Sequence, residues 1–231
     1  MKSDFLRGMS HGIPISLGYL SVSFGFGIKA VSAGLSVLAS SLISATNLTS
    51  AGQAAGVDII AVGGTIIEMI LVQLTINIRY SLMALSLSQK LDGKFTLPHR
   101  LIASYGITDE IFAVCSAQKQ KLTPAYMYGM ILISAVGWVT GTALGATAGQ
   151  LLPESISNAL GIVLYGMFMA VIIPPARQQK SVLIVVLVSA LISILFKYLL
   201  TAVSSGFAVI ISAVVASVIG AIIFPVGEEN E

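Results

Sequence analysis

Apolar runs long enough to cross a bilayer recur along nearly the whole chain, from residue 11 to residue 226. A hydrocarbon core of ~30 Å calls for about 20 predominantly apolar residues per helix, so repeated runs of this kind define a polytopic membrane protein. Mean hydropathy is +0.95, and 56% of the residues are hydrophobic against 10% charged. The expected fold is an all-α helical bundle in one domain spanning residues 1–231. The first run follows a tail with Lys2 and Arg7, and Val31-Ser32-Ala33 has the small residues of a cleavage site. It is expected to remain in the protein as a helix, because the rest of the chain is itself a membrane protein.

Several function classes fall away at once. The formal net charge of +2 is spread over short loops without a basic stripe, which excludes nucleic acid as a partner. The single cysteine, Cys115, rules out an internal disulfide and a cysteine metal cluster. His11 and His99 sit at segment ends, and neither H-E-x-x-H nor G-x-S-x-G occurs. No catalytic residue, metal or cofactor is therefore assigned, and an enzyme is not expected.

The segments fall at about 11–28, 34–56, 57–88, 101–118, 124–150, 155–175, 181–203 and 205–226. The first is loosened by Pro14, Gly18, Gly25 and Gly27, which make either a packing notch or a turn that lines substrate. The second is crowded with Ser40, Ser44, Asn47, Ser50, Gly52 and Gln53, a face that lipid would not accept. It is either a span buried in the bundle or a re-entrant half-helix with its tip near Asn47 to Gln53. The third begins in earnest after Gly63-Gly64, with Glu68 as an interfacial acid in water. Gly137, Gly141, Gly145 and Gly149 recur every four residues, the small-xxx-small ridge on which another helix can pack. Trp138 nearby is expected in the core, and the acidic tail Glu228-Glu229-Asn230-Glu231 in solvent.

Charge placement bears on how many segments cross. With eight full spans, Lys29, Lys90, Lys94 and Arg100 fall on the side opposite Lys2, Arg7, Lys119, Lys121, Arg177 and Lys180. That asymmetry is poor by the positive-inside rule. With 34–56 re-entering from outside and 101–118 from inside, about six full spans remain, and the N-terminus with nearly all the basic residues faces the cytoplasm. Two oppositely directed broken segments are also how secondary transporters build a midplane site. Eight full spans remain the alternative.

Gly106-Ile107-Thr108-Asp109-Glu110 puts two adjacent acids in this apolar setting, and Asn77-Ile78-Arg79-Tyr80 supplies a basic residue deep inside an apolar segment. Charges in a membrane segment cost roughly 2.5–3.5 kcal/mol each on insertion scales, so they face the bundle interior and mark a pathway. The two stretches are expected to meet. Thr108 or Asp109 can cap a helix restarting after Gly106, and a cap role for one acid leaves the other unexplained. On a continuous helix Asn77 and Arg79 occupy different faces, so both reach one site only if the helix breaks locally.

With these motifs in view, the chain resembles the AzlC family of bacterial branched-chain amino acid exporters. The likeness rests on Thr108-Asp109-Glu110-Ile111-Phe112-Ala113, on Asn77-x-Arg79 followed by Ser86-Leu87, and on Ser50-Ala51-Gly52-Gln53, which keeps the family's Gln. It implies a secondary transporter in the bacterial inner membrane that exports Val, Leu, Ile and Met. It also implies a small hydrophobic partner subunit of the AzlD type. The rival reading is a membrane scaffold whose transport path needs that partner.

A branched-chain amino acid is a zwitterion with an apolar tail, and each part has a candidate here. Asp109 or Glu110 could take the ammonium, and half-helix N-termini beside Gly52 or Gly106 the carboxylate. Arg79 would neutralise the acids or contact the carboxylate, with Asn77, Thr108 and Gln53 as further polar contacts. Phe24 and Phe26 could hold the tail, although a methylene is worth only ~1–3 kcal/mol of discrimination. Paired acids in a poorly hydrated cavity tend to hold a proton, which makes export proton-coupled.

Overall fold

The computed structural model describes residues 2–151, 153, 155, 166, 168, 169 and 172–225. Its named elements are helices: α1 (Lys2–Ser32), α2 (Val37–Thr46), α3 (Ala51–Ala61), α4 (Ile66–Ser88), α5 (Leu97–Ser104), α6 (Asp109–Ser116), α7 (Pro124–Leu151), α8 (Lys180–Tyr198) and α9 (Ser205–Ile223). Among the described residues, α1, α4, α7, α8 and α9 are long and apolar enough to cross a membrane. Most of the expected span at 155–175, and the tail 228–231, lie outside the described residues. The chain divides into two compact units, Met1–Val57 with Ile76–Leu164, and Asp58–Thr75 with Tyr165–Glu231.

The first unit is built on α1 and α7. A Cβ added at Gly137, Gly141 or Gly145 would strike the backbone of Ser16, Leu20 or Phe24, and one at Gly149 would touch Ile28. Both series climb by four, so the helices run parallel in constant register with their backbones in contact. Gly8, Gly12 and Gly27 do the same from α1, against Tyr126, Met130 and Thr142. Of the two readings of the first segment, Gly27 fits the packing notch: α1 is continuous from Lys2 to Ser32 through Pro14, while Gly18 meets open space. A neighbour laid along the whole helix offsets the cost of its glycines.

Two broken hairpins enter this pair from opposite ends. α2 starts beyond the end of α1 with Ser36 as its N-cap and stops at Thr46. The backbone turns at Ser50, φ +30°, and α3 restarts at Ala51. Val57 on α3 shares a buried cluster with Phe26 and Ala30, and Ile43 on α2 packs against that cluster, so α3 returns toward the end from which α2 came. The second hairpin is α5 and α6. Its two feet are tied together, with Asp92 N donating to Leu122 O at 3.0 Å and Leu122 N to Lys90 O at 2.9 Å. Lys90 Nζ also donates to the carbonyls of Ser116 and Gln118 at the end of α6. The stretch from 97 to 116 thus goes out and comes back to the level where α1 and α7 begin, since Thr123 Oγ1 donates to Asp4 and Arg7 to Gln120. None of these four helices exceeds 11 residues, about 17 Å of rise.

The tips of the hairpins touch. The Tyr105 hydroxyl, in the α5–α6 break, donates to the Ala45 carbonyl near the end of α2 at 2.8 Å. Leu48, in the other break, shares a buried cluster with Tyr19, Ile111 and Trp138.

In the second unit α8 and α9 run antiparallel, Ser193 meeting Ser212 at 3.3 Å and Gly220 abutting Val185. The third segment begins in earnest after Gly63-Gly64, as expected: α3 ends at Ala61, Gly63 turns at φ +67°, and α4 runs from Ile66 to Ser88. The expectation for Glu68 needs correction: it does not face water, for it is 3% exposed and accepts from Ser204 Oγ at 2.5 Å and Gly206 N at 2.9 Å at the start of α9. Helix N-terminal N–H groups favour a carboxylate there. Thr65 Oγ1 accepts from Glu68 N at 3.1 Å, and this Thr-x-x-Glu start was legible as a capping signature.

Candidate functional site

The α5–α6 break places the acids. Thr108 is the N-cap of α6, its hydroxyl accepting from Ile111 N, so neither carboxylate is used as the cap. Asp109 and Glu110 both occupy the first helical turn, where the helix dipole favours them. About 100° of helical rotation separates neighbours, and the two acids reach different partners.

Asp109 Oδ2 lies 2.7 Å from Arg79 Nη1 on α4, so the two expected stretches meet. Arg79 also lies over the Tyr80 ring, 5.0 Å from its centroid, and donates to the Tyr80 hydroxyl at 3.3 Å. The side chains of Arg79 and Asp109 remain 42% and 46% accessible, so the ion pair is open to a third group rather than sealed in the core. α4 runs unbroken through Asn77 and Arg79. The two leave it about 200° apart, and Asn77 does not share the face that carries the ion pair.

Glu110 turns instead to α1. Glu110 Oε2 and Thr108 Oγ1 each lie 2.6 Å from the Tyr19 hydroxyl. A phenol has one proton, and the carboxylate is the stronger acceptor. Tyr19 therefore donates to Glu110, and the Thr108 hydroxyl supplies its own proton to the phenol oxygen. The negative charge of Asp109 is matched by Arg79, whereas no cation contacts Glu110 among the described residues.

From Tyr19 the contacts continue to the other hairpin. The Tyr19 ring stands edge-on to Trp138, with centroids 5.2 Å apart at 77°. Trp138 Nε1 donates to Gln53 Oε1 at 2.9 Å, Gln53 Nε2 donates to Ser44 Oγ at 3.0 Å, and Ser44 meets Thr142 at 2.7 Å. Gln53 is 2% exposed, and each polar atom of its amide has a partner, as a buried amide requires. Gly52 is buried beside it in the first turn of α3, a turn that carries no acid of its own.

Sequence reasoning missed Tyr19 and Trp138 as the bridge between the breaks. A signal was present: Gly8, Gly12, Ile15, Tyr19, Ser23, Phe26 and Ala30 are buried at steps of three and four, and Tyr19 puts a hydroxyl in the middle of that face. The aromatic residues expected to hold a substrate tail lie elsewhere. Phe26 fills a separate cluster with Ala30 and Val57, and Phe24 sets its backbone against Gly145. Gly106 is buried, and a Cβ there would strike the Ile131 side chain.

Comparison with known proteins gives a consistent result. The family model described as AzlC protein matches residues 14–152, which include both hairpins. An uncharacterized membrane protein of Archaeoglobus fulgidus is 30% identical over 179 residues, 76% of this chain and 77% of its own length. The inner membrane protein YgaZ of Escherichia coli K12 is 26% identical over 187 residues, 78% of this chain and 76% of its own length. An uncharacterized membrane protein of Helicobacter pylori J99 is 25% identical over 176 residues. No solved structure matches the chain.

Proposed function

The chain belongs to the AzlC family of membrane proteins, and from that premise we propose that it is a secondary transporter exporting branched-chain amino acids, with its site at the junction of the two hairpins. The observation that carries this reading is the meeting of two oppositely directed broken helices at Tyr105 and Ala45, with Tyr19 holding Glu110 beside it. Broken helices at mid-depth supply backbone dipoles and side-chain charge to a polar substrate while leaving the outside of the bundle apolar.

The residues divide the work. Glu110, unmatched by a cation, takes the substrate ammonium, and Tyr19 and Thr108 position its carboxylate. The start of α3, beside Gly52, attracts the substrate carboxylate through its helix dipole, because the first turn of α6 already carries two acids and that of α3 none. Arg79 keeps Asp109 neutralised and opens toward substrate when that pair parts. The paired acids at the junction couple export to the proton gradient. The feet of the α5–α6 hairpin carry Lys90, Lys119 and Lys121 at the level of Lys2 and Arg7, and the positive-inside rule places that end in the cytoplasm.

Counterflow of labelled leucine by the purified chain in proteoliposomes, under an imposed proton gradient, tests this directly. Uptake saturated by Val, Leu, Ile and Met and sensitive to the gradient supports the reading. Activity that appears only when a small hydrophobic subunit is added would assign the path to a complex. No counterflow in either case would refute transport at this site.

A further inference from the structure

Away from the hairpin junction, a cavity of ≈ 570 Å³ opens between the start of α1, the loop leading into α5 and the start of α7. Phe5 and Pro124 line its apolar floor, and Lys2 and Lys94 reach it from two different elements. Asp4 also lines it, but its carboxylate is matched by Arg7 at 3.3 Å and accepts from Thr123 at 3.2 Å. The charge that remains is that of two ammonium groups over an apolar surface. His99 Nδ1 is held by the Tyr128 hydroxyl at 2.6 Å, which fixes the ring in the wall.

An occupant of this cavity must carry negative charge at one end and an apolar body at the other. The cavity lies where two candidate spans begin, α1 at Lys2 and α7 at Pro124, the depth at which lipid headgroups sit. A free inorganic anion would satisfy the lysines and leave the apolar floor bare. We propose that the cavity binds one anionic phospholipid, its phosphate between Lys2 and Lys94 and its acyl chain over Phe5 and Pro124. Basic pockets between membrane helices recognise anionic headgroups by this combination of charge and apolar contact.

Native mass spectrometry of the full chain with phosphatidylglycerol and phosphatidylcholine tests the proposal. One phosphatidylglycerol is expected to be retained in preference to phosphatidylcholine. Each lysine at a charged surface is worth about a fivefold change, so K2A/K94A should weaken retention by about twenty-five-fold. K119A/K121A removes the same charge from the same end outside the cavity and should leave retention near the wild-type value. No preference for phosphatidylglycerol would overturn the site, and so would equal losses in the two variants, which would reduce it to general surface charge. Displacement of the lipid by millimolar inorganic phosphate would assign the lysines to a free anion instead. Lys94→Gln alone, on an exposed position, gives the same reading should the double variant express poorly.

Discussion

Asp109 and Glu110, adjacent in the chain, face different helices: Asp109 meets Arg79 of α4 at 2.7 Å, and Glu110 accepts from Tyr19 of α1 at 2.6 Å. The pair is two acids with separate surroundings, and single substitutions should separate them.

Asp109→Asn leaves Arg79 without its counter-charge, and leucine efflux from proteoliposomes is expected to fall about tenfold, a modest loss because the pair is half accessible. Adding Arg79→Gln should recover part of that loss, since a neutral pair carries no orphaned charge. Glu110→Gln keeps the ion pair and should abolish gradient-driven efflux. Equal rates in both single variants and no recovery in the double would remove this division of roles.

Tyr19→Phe deletes one oxygen and keeps the ring against Trp138. A hydrogen bond to a charged group contributes about 1.5–3 kcal/mol to stability, so the melting temperature should fall, and transport should drop by roughly tenfold to a hundredfold as Glu110 loses its donor. Trp138 is the only tryptophan, and its emission reports on the site. Emission should hold steady in Tyr19→Phe and shift in Gln53→Leu, where the buried indole N–H loses its acceptor.

The glycines of the first unit predict opposite signs. Gly141→Val would drive a side chain into the Leu20 backbone and should cost at least about 1–3 kcal/mol, read as a lower melting temperature in detergent. Gly18 has open space around it within α1, so Gly18→Ala should raise stability by about 0.5–1 kcal/mol. A similar response at both positions would mean that α1 and α7 do not pack in this register.

Single cysteines at Lys94 and Lys119, in a Cys115→Ser background, should react with an impermeant thiol reagent from the same face of the membrane, because Leu91 and Leu122 pair across the two loops. Labelling from opposite faces would show that 97–116 crosses.

Much of this protein is decided by composition and periodicity alone. The apolar runs dictate a helical membrane protein, since lipid offers the backbone no other partner. The four-residue glycine ridge at 137–149 announces a close helix contact, because a missing Cβ has that consequence wherever it falls. The polar content of 34–56 and the Gly106-to-Glu110 stretch mark segments that lipid would not surround, and both contain breaks, at 47–50 and 105–108.

What required the tertiary structure is partnership. Local patterns cannot choose between Thr108 and Asp109 as the cap, between Asp109 and Glu110 as the partner of Arg79, or between water and the start of α9 for Glu68. Each choice depends on a residue distant in the chain, and a hydrogen bond across such a distance leaves no period in the sequence. The register of α1 on α7 also sets the surroundings of the two aromatic candidates for a substrate tail, with Phe26 in a cluster with Ala30 and Val57 and the Phe24 backbone against Gly145. The same register carries Tyr19 to Glu110 and Trp138 to Gln53, joining two breaks that lie far apart in the chain.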